Sequence, residues 1–92
     1  MTAPPGAVWL GGRLVDPVDA VVSVFDHGFT VGDGVFETLK VAGGRPFAVR
    51  RHLERLGRSA AGLGIPVPLS EPRLRAVIDE VVAAAGLASG RL

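Results

Sequence analysis

Residues 49–86 carry two apolar stripes at helical spacing, each shut off by glycine, and no other feature constrains the fold as tightly. In the first stripe Val49, Leu53, Leu56, Ala60 and Leu63 recur at about 100° per residue, the spacing of one helix face. Gly62 and Gly64 end it. "IPVPL" (65–69) is an extended connector, because each proline restricts the residue before it. Ser70 then caps a second helix with Pro72 in its first turn. Leu74, Val77, Ile78, Val81 and Ala85 form its buried face, and Gly86 stops it. Two helices with one apolar side each need a third surface to pack on.

That surface is expected upstream. "VWLGGRLV" reads as two short strands around Gly11-Gly12, a two-residue hairpin signal. Asp16-Pro17 ends it with a turn, and "AVVSVF" (20–25) is a short apolar run with extended character. Gly28, Gly32 and Gly34 make residues 26–34 a loop. Val35–Val41 suits a strand, "AGGR" (42–45) a turn and "PFAV" (46–49) the partner strand of a second hairpin. Residues 1–7, rich in Pro, Gly and Ala, read as a disordered tail. The expected fold class is α+β: a small, mostly antiparallel sheet of two hairpins with two helices packed on one side. Arg91-Leu92 suits the start of a further strand, so the chain is expected to be truncated ahead of a larger domain.

A chain of 92 residues suits one small domain. With no cysteine, disulfide frameworks and thiolate metal sites are excluded, and a reducing cytoplasm is the expected location. A net charge of +1 gives no bulk reason for a nucleic-acid partner. No apolar run reaches the roughly 18 residues needed to cross a bilayer, and "MTAPPGAVWL" lacks the pattern of a signal peptide.

The chemistry-bearing residues concentrate in "FDHGFTVGDGVFETLKV" (25–41) and in the first helix. Asp26, His27 and Asp33 have the types of a catalytic dyad or metal cluster, but their spacing matches no ligand pattern. A turn in which the acid bonds nearby backbone amides accounts for them. "GDG" (32–34) lacks the further glycines and the following helix of a phosphate loop, so it reads as a tight turn. Along the expected strand, period two puts Phe36, Thr38 and Lys40 on one face and Val35, Glu37, Leu39 and Val41 on the other. The second face looks like core, with Glu37 as its misfit. The first is amphipathic and suited to line a cavity. Lys40, the only lysine, invites a nucleophilic role, but cavity-edge electrostatics is the preferred reading. On the first helix Arg51, Glu54 and Arg58 point away from the apolar stripe, while His52, Arg55 and Ser59 form a ridge at its margin. A guanidinium there either belongs to a solvated face or grips a phosphate with two donors.

"WLGGRLV", "SVFDHGFTVGDGVFETLKV" and "GRPFAVRRHLERLGRSAAGLGI" together resemble the opening of the class IV aminotransferases, pyridoxal-phosphate enzymes of fold type IV. The resemblance rests on D-x-G-x-x-x-G-D-G-V-F-E followed about fifteen residues later by H-x-x-R-L, and it covers Val8 to about Ile65. It implies the N-terminal small domain (8–92) of a two-domain homodimer with pyridoxal 5'-phosphate between the domains. It implies that Arg55 binds the cofactor phosphate and that Phe36, Thr38 and Lys40 line the substrate pocket. The family's Schiff-base lysine lies downstream and Lys40 does not match it, so no catalytic residue and no metal site is expected here, and the 92-residue chain alone is expected to be inactive. Branched-chain enzymes usually carry E-G-I-R where this chain has Glu37-Thr38-Leu39-Lys40. Lyases acting on 4-amino-4-deoxychorismate often have Thr at that second position, and the reading leans to a lyase or a close relative. D-amino-acid and branched-chain transamination is the alternative. A non-catalytic anion-binding or assembly module is the alternative of another class.

Overall fold

A computed structural model describes residues 6–92. The expected tail therefore falls mostly outside the described residues. Among them are β1 (Val8–Leu10), β2 (Arg13–Val15), α1 (His27–Val31), β3 (Lys40–Ala42), β4 (Arg45–Pro46), α2 (Val49–Gly62), α3 (Glu71–Ala85) and β5 (Ser89–Arg91). The class is α+β, as the sequence predicts. Among the described residues there are two antiparallel sheets, β1-β2 and β4-β3-β5, instead of one, and three α-helices rather than two.

Both hairpins turn on paired glycines. Gly11 and Gly12 have φ of 63° and 102°, and Gly43 and Gly44 have 58° and 71°. Positive φ at both central residues lets the turn match the twist of its strands, and glycine adopts it without steric cost. The first turn sets Leu10 opposite Arg13, and the second sets Ala42 opposite Arg45. The expected strand 46–49 is shorter: β4 stops at Pro46, which has no N–H to give, and one bond from Phe47 N to Lys40 O (2.8 Å) ends the pairing. Ala48, at φ 55°, then swings the chain into α2.

β3 is the central strand of its sheet. On its far side β5 pairs Lys40 with Arg91, Val41 with Gly90 and Ala42 with Ser89, and Leu39 and Leu92 exchange two 2.8 Å backbone bonds. The expected strand 35–41 is thus hydrogen-bonded only over its C-terminal half. Its alternation nevertheless persists upstream: Val35 and Glu37 are half-buried, Leu39 and Val41 buried, and Phe36, Thr38 and Lys40 exposed.

The helices end where capping chemistry says. Ser70 Oγ accepts from Arg73 N at 3.3 Å, and Gly86 takes the left-handed C-cap of α3. Gly64, at φ 69°, follows α2 while Ile65 N reaches back to Ala60 O. α3 packs on α2 and β1. The core is Leu39, Val41, Ala60, Val77 and Val82, with Val41 wholly enclosed. Val82 was not among the expected face residues, and Leu63, expected on the stripe, lies beyond the helix and is exposed.

Residues 26–34 are not a plain loop. Asp26 caps α1 by accepting from Gly28 N at 3.0 Å, and Gly32 closes it at φ 73°. A Cβ on Gly28 would meet Asp33 O at 2.9 Å, so that close approach requires glycine. The run 20–25 forms no strand, and Phe25 is 88% exposed.

Candidate functional site

The extended segment 35–41 divides the site in two. Phe36, Thr38 and Lys40 project from its exposed side, as the sequence predicts. Lys40 stands opposite Arg91 on β5. Because Leu39 and Leu92 form the hydrogen-bonded pair next to it, Lys40 and Arg91 occupy a non-hydrogen-bonded position, where side chains on one face come closest. Two like charges placed so repel one another. The sequence reading has Arg91 only as a strand start; its place opposite Lys40 comes from the register, which composition does not show.

The inward side carries Glu37, whose side chain is 11% exposed. α2 supplies its partners. Residues three apart on a helix share a ridge, so His52 and Arg55 both face one carboxylate. His52 Nδ1 donates to Glu37 Oε1 at 2.6 Å. Such a contact with a carboxylate requires the proton on Nδ1, so the 3.3 Å approach of Arg55 Nη2 to that nitrogen is a contact and not a hydrogen bond. Arg55 meets Glu37 side-on: Nη2 donates to Oε1 at 2.7 Å, and Nε to Oε2 at 2.9 Å. The Arg55 bonds first, and then the His52 bond, hold the Glu37 carboxyl down at about 2. The same carboxylate raises Arg55 above its ordinary value. The Arg55 side chain remains 58% exposed.

Arg58 and Arg51 face solvent, as expected, and Glu54 pairs with Arg50 at 3.6 Å. Asp26 serves the α1 cap, and Asp33 Oδ2 binds His27 Nε2 at 2.9 Å in the open. Among the described residues no group of three metal-ligating side chains converges. Two concavities lie elsewhere. One of about 180 Å³ sits between Leu53, Leu56, Val67 and Leu74; one of about 320 Å³ lies beside Val81, Ala85, Leu87 and Arg91. Neither is lined by Arg55 or by Phe36, Thr38 or Lys40.

Arg55 on α2 and the exposed residues Phe36, Thr38 and Lys40 are the positions that the resemblance singles out. The family described as amino-transferase class IV matches residues 34–92. The chain belongs to the class IV aminotransferases. A putative branched-chain-amino-acid aminotransferase of Methanocaldococcus jannaschii is 43% identical over 82% of this chain and 26% of its own length. A D-alanine aminotransferase of Listeria innocua is 38% identical over 92% of the chain and 29% of its own. An aminodeoxychorismate lyase of Bacillus subtilis is 39% identical over 82% and 26%. The chain thus spans little more than a quarter of the class IV relatives it matches, and their names divide among three activities. Among the described residues no helix is long and apolar enough to cross a membrane.

Proposed function

We propose that this chain is the cofactor-phosphate and substrate-pocket portion of a pyridoxal-phosphate-dependent class IV enzyme, a 4-amino-4-deoxychorismate lyase or a close relative. The observation that carries it is the side-on Glu37–Arg55 pair, which leaves one edge of an exposed guanidinium available beside the segment bearing Phe36, Thr38 and Lys40. That donor set fits a phosphate monoester: a fixed cation with parallel N–H groups. Bound there, the cofactor's aldehyde and ring supply the electron sink for reactions at an amine-bearing carbon. Arg55 binds and orients the phosphate. Phe36 offers an apolar wall, Thr38 a hydroxyl that donates or accepts, and Lys40 a cation for a substrate carboxylate. Arg91 adds a second positive charge on the same face, which suits a dicarboxylate better than an aliphatic amino acid.

Thr38 supports the lyase reading. A second reading, D-amino-acid or branched-chain transamination, takes its support from the names of other relatives. The protein working as a homodimer, with its lysine outside this segment, belongs to the same proposal. The test is both rates, 4-aminobenzoate formation and transamination of D-alanine or leucine, in the product of the full reading frame at saturating cofactor. Thr38→Gly is expected to lower the first more than the second. A wild-type protein that makes no 4-aminobenzoate but transaminates well replaces the lyase reading with the second one. A product that binds no pyridoxal phosphate leaves the non-catalytic module.

A further inference from the structure

We propose that Glu37 is a positioning residue, holding Arg55 side-on so that the end edge of its guanidinium is presented to a phosphate; this rests on the assignment of Arg55 made above. Arginine has five N–H donors in a rigid fork. Glu37 takes the Nε–H at 2.9 Å and one Nη2–H at 2.7 Å. Of the three that remain, one on Nη1 and one on Nη2 run parallel along the end edge, where they match two phosphate oxygens, and the third points from Nη1 toward the Cδ side. A ligand therefore need not compete with Glu37 for donors.

Glu37 is itself held. Its Oε1 also accepts from His52 Nδ1 at 2.6 Å, and its neighbour two residues on, Leu39, is buried in the core. The carboxylate thus ties the guanidinium of one element to the backbone of another, across 18 residues of sequence. An arginine with no such tie loses its rotational freedom when an anion arrives, and that loss weakens binding. An opposing effect exists: the negative charge on Glu37 offsets part of the attraction between Arg55 and any anion. Glu37→Gln removes the charge while keeping the shape, so the two effects predict opposite signs.

The experiment is equilibrium titration of the product of the full reading frame with pyridoxal phosphate and, separately, with pyridoxal. Wild type, Glu37→Gln, Arg55→Ala and the double variant are compared. Positioning predicts that Glu37→Gln weakens pyridoxal phosphate by roughly five- to tenfold and leaves pyridoxal unchanged. In the Arg55→Ala background the same substitution is expected to do nothing more, because Glu37 acts through Arg55. A merely structural Glu37 would give a loss that persists without Arg55 and extends to pyridoxal, and that result overturns the proposal. Unchanged or tighter binding by Glu37→Gln while Arg55→Ala binds weakly also overturns it, with the phosphate assignment left standing. If Arg55→Ala has no effect on pyridoxal phosphate, that assignment fails and the proposal fails with it. Should Glu37→Gln not fold, Arg55→Lys serves instead. It keeps the charge without the fork, and is expected to lose nearly as much as Arg55→Ala; wild-type affinity in Arg55→Lys overturns the positioning role.

Discussion

Residues 21–36 and residues 37–85 are both rich in apolar side chains, yet only the second region has fully buried ones, although Phe47, Leu63 and Val67 there are exposed. Val21, Val22, Val24, Phe25, Phe29, Val31 and Phe36 are all exposed, whereas Leu39, Val41, Ala60, Val77 and Val82 form the core. Hydrophobicity alone does not separate the two regions. Periodicity does: α2 and α3 gather their apolar residues on one stripe, and β3 alternates. In the first region Asp26, Gly28, Gly32 and Gly34 reset the backbone every few residues, so no face accumulates. A side chain contributes to stability here when its element repeats, not when it is merely greasy.

The sharpest way to break that contrast is truncation on each side of it. Leu39→Ala is expected to destabilise the chain by about 2–5 kcal/mol, the transfer loss plus the cavity left behind. That is a large share of a small domain's total stability. Urea denaturation of the 92-residue chain measures it, and a loss below about 1 kcal/mol would mean the core lies elsewhere.

Acid titration comes next. Glu37 has a folded-state value of about 2 against an ordinary 4.5, so its contribution is fully present above 4.5 and disappears as the pH falls through that window. The thermal midpoint of wild type should therefore drop between pH 5 and about pH 2 more steeply than that of Glu37→Gln. Parallel profiles would show that the Glu37 carboxylate gains nothing from its partners on folding.

The smallest effect is expected where the side chain is largest and barest. Phe25→Ala should change stability by no more than about 0.5 kcal/mol, although phenylalanine is the more apolar residue by far. A loss above about 1.5 kcal/mol in the same denaturation would show that the first region has a core of its own.

The contrast also explains what was legible in the sequence. Ser70, Pro72 and Gly86 announce α3 because capping is local chemistry, and the Gly-Gly pairs announce both hairpins for the same reason. α1 is five residues long, too short for any helical period to register, and only Asp26 and Gly32 hint at it. β5 reads Ser-Gly-Arg, with no alternation; the sequence marks Arg91-Leu92 as a strand start, which the structure bears out, but the partner, the free edge of β3, is not visible there. At the site, period two found the exposed face of Phe36, Thr38 and Lys40, and helical spacing found the ridge of His52 and Arg55. The bond between ridge and strand was not visible, because its partners lie 15 and 18 residues apart. Its one signal was an acid on an otherwise apolar face, which needs a cation to be half-buried at all.

Arg55, not the helix's general positive charge, is proposed to anchor the cofactor phosphate, and a paired titration separates the two. Arg58 lies three residues further along α2, equally cationic and exposed to solvent. Pyridoxal phosphate affinity of the full reading-frame product should fall roughly ten- to a hundredfold in Arg55→Ala, the loss of one charge-assisted phosphate contact. Arg58→Ala should change it by less than about twofold, as expected for a screened surface charge. Equal losses from the two substitutions would contradict the account.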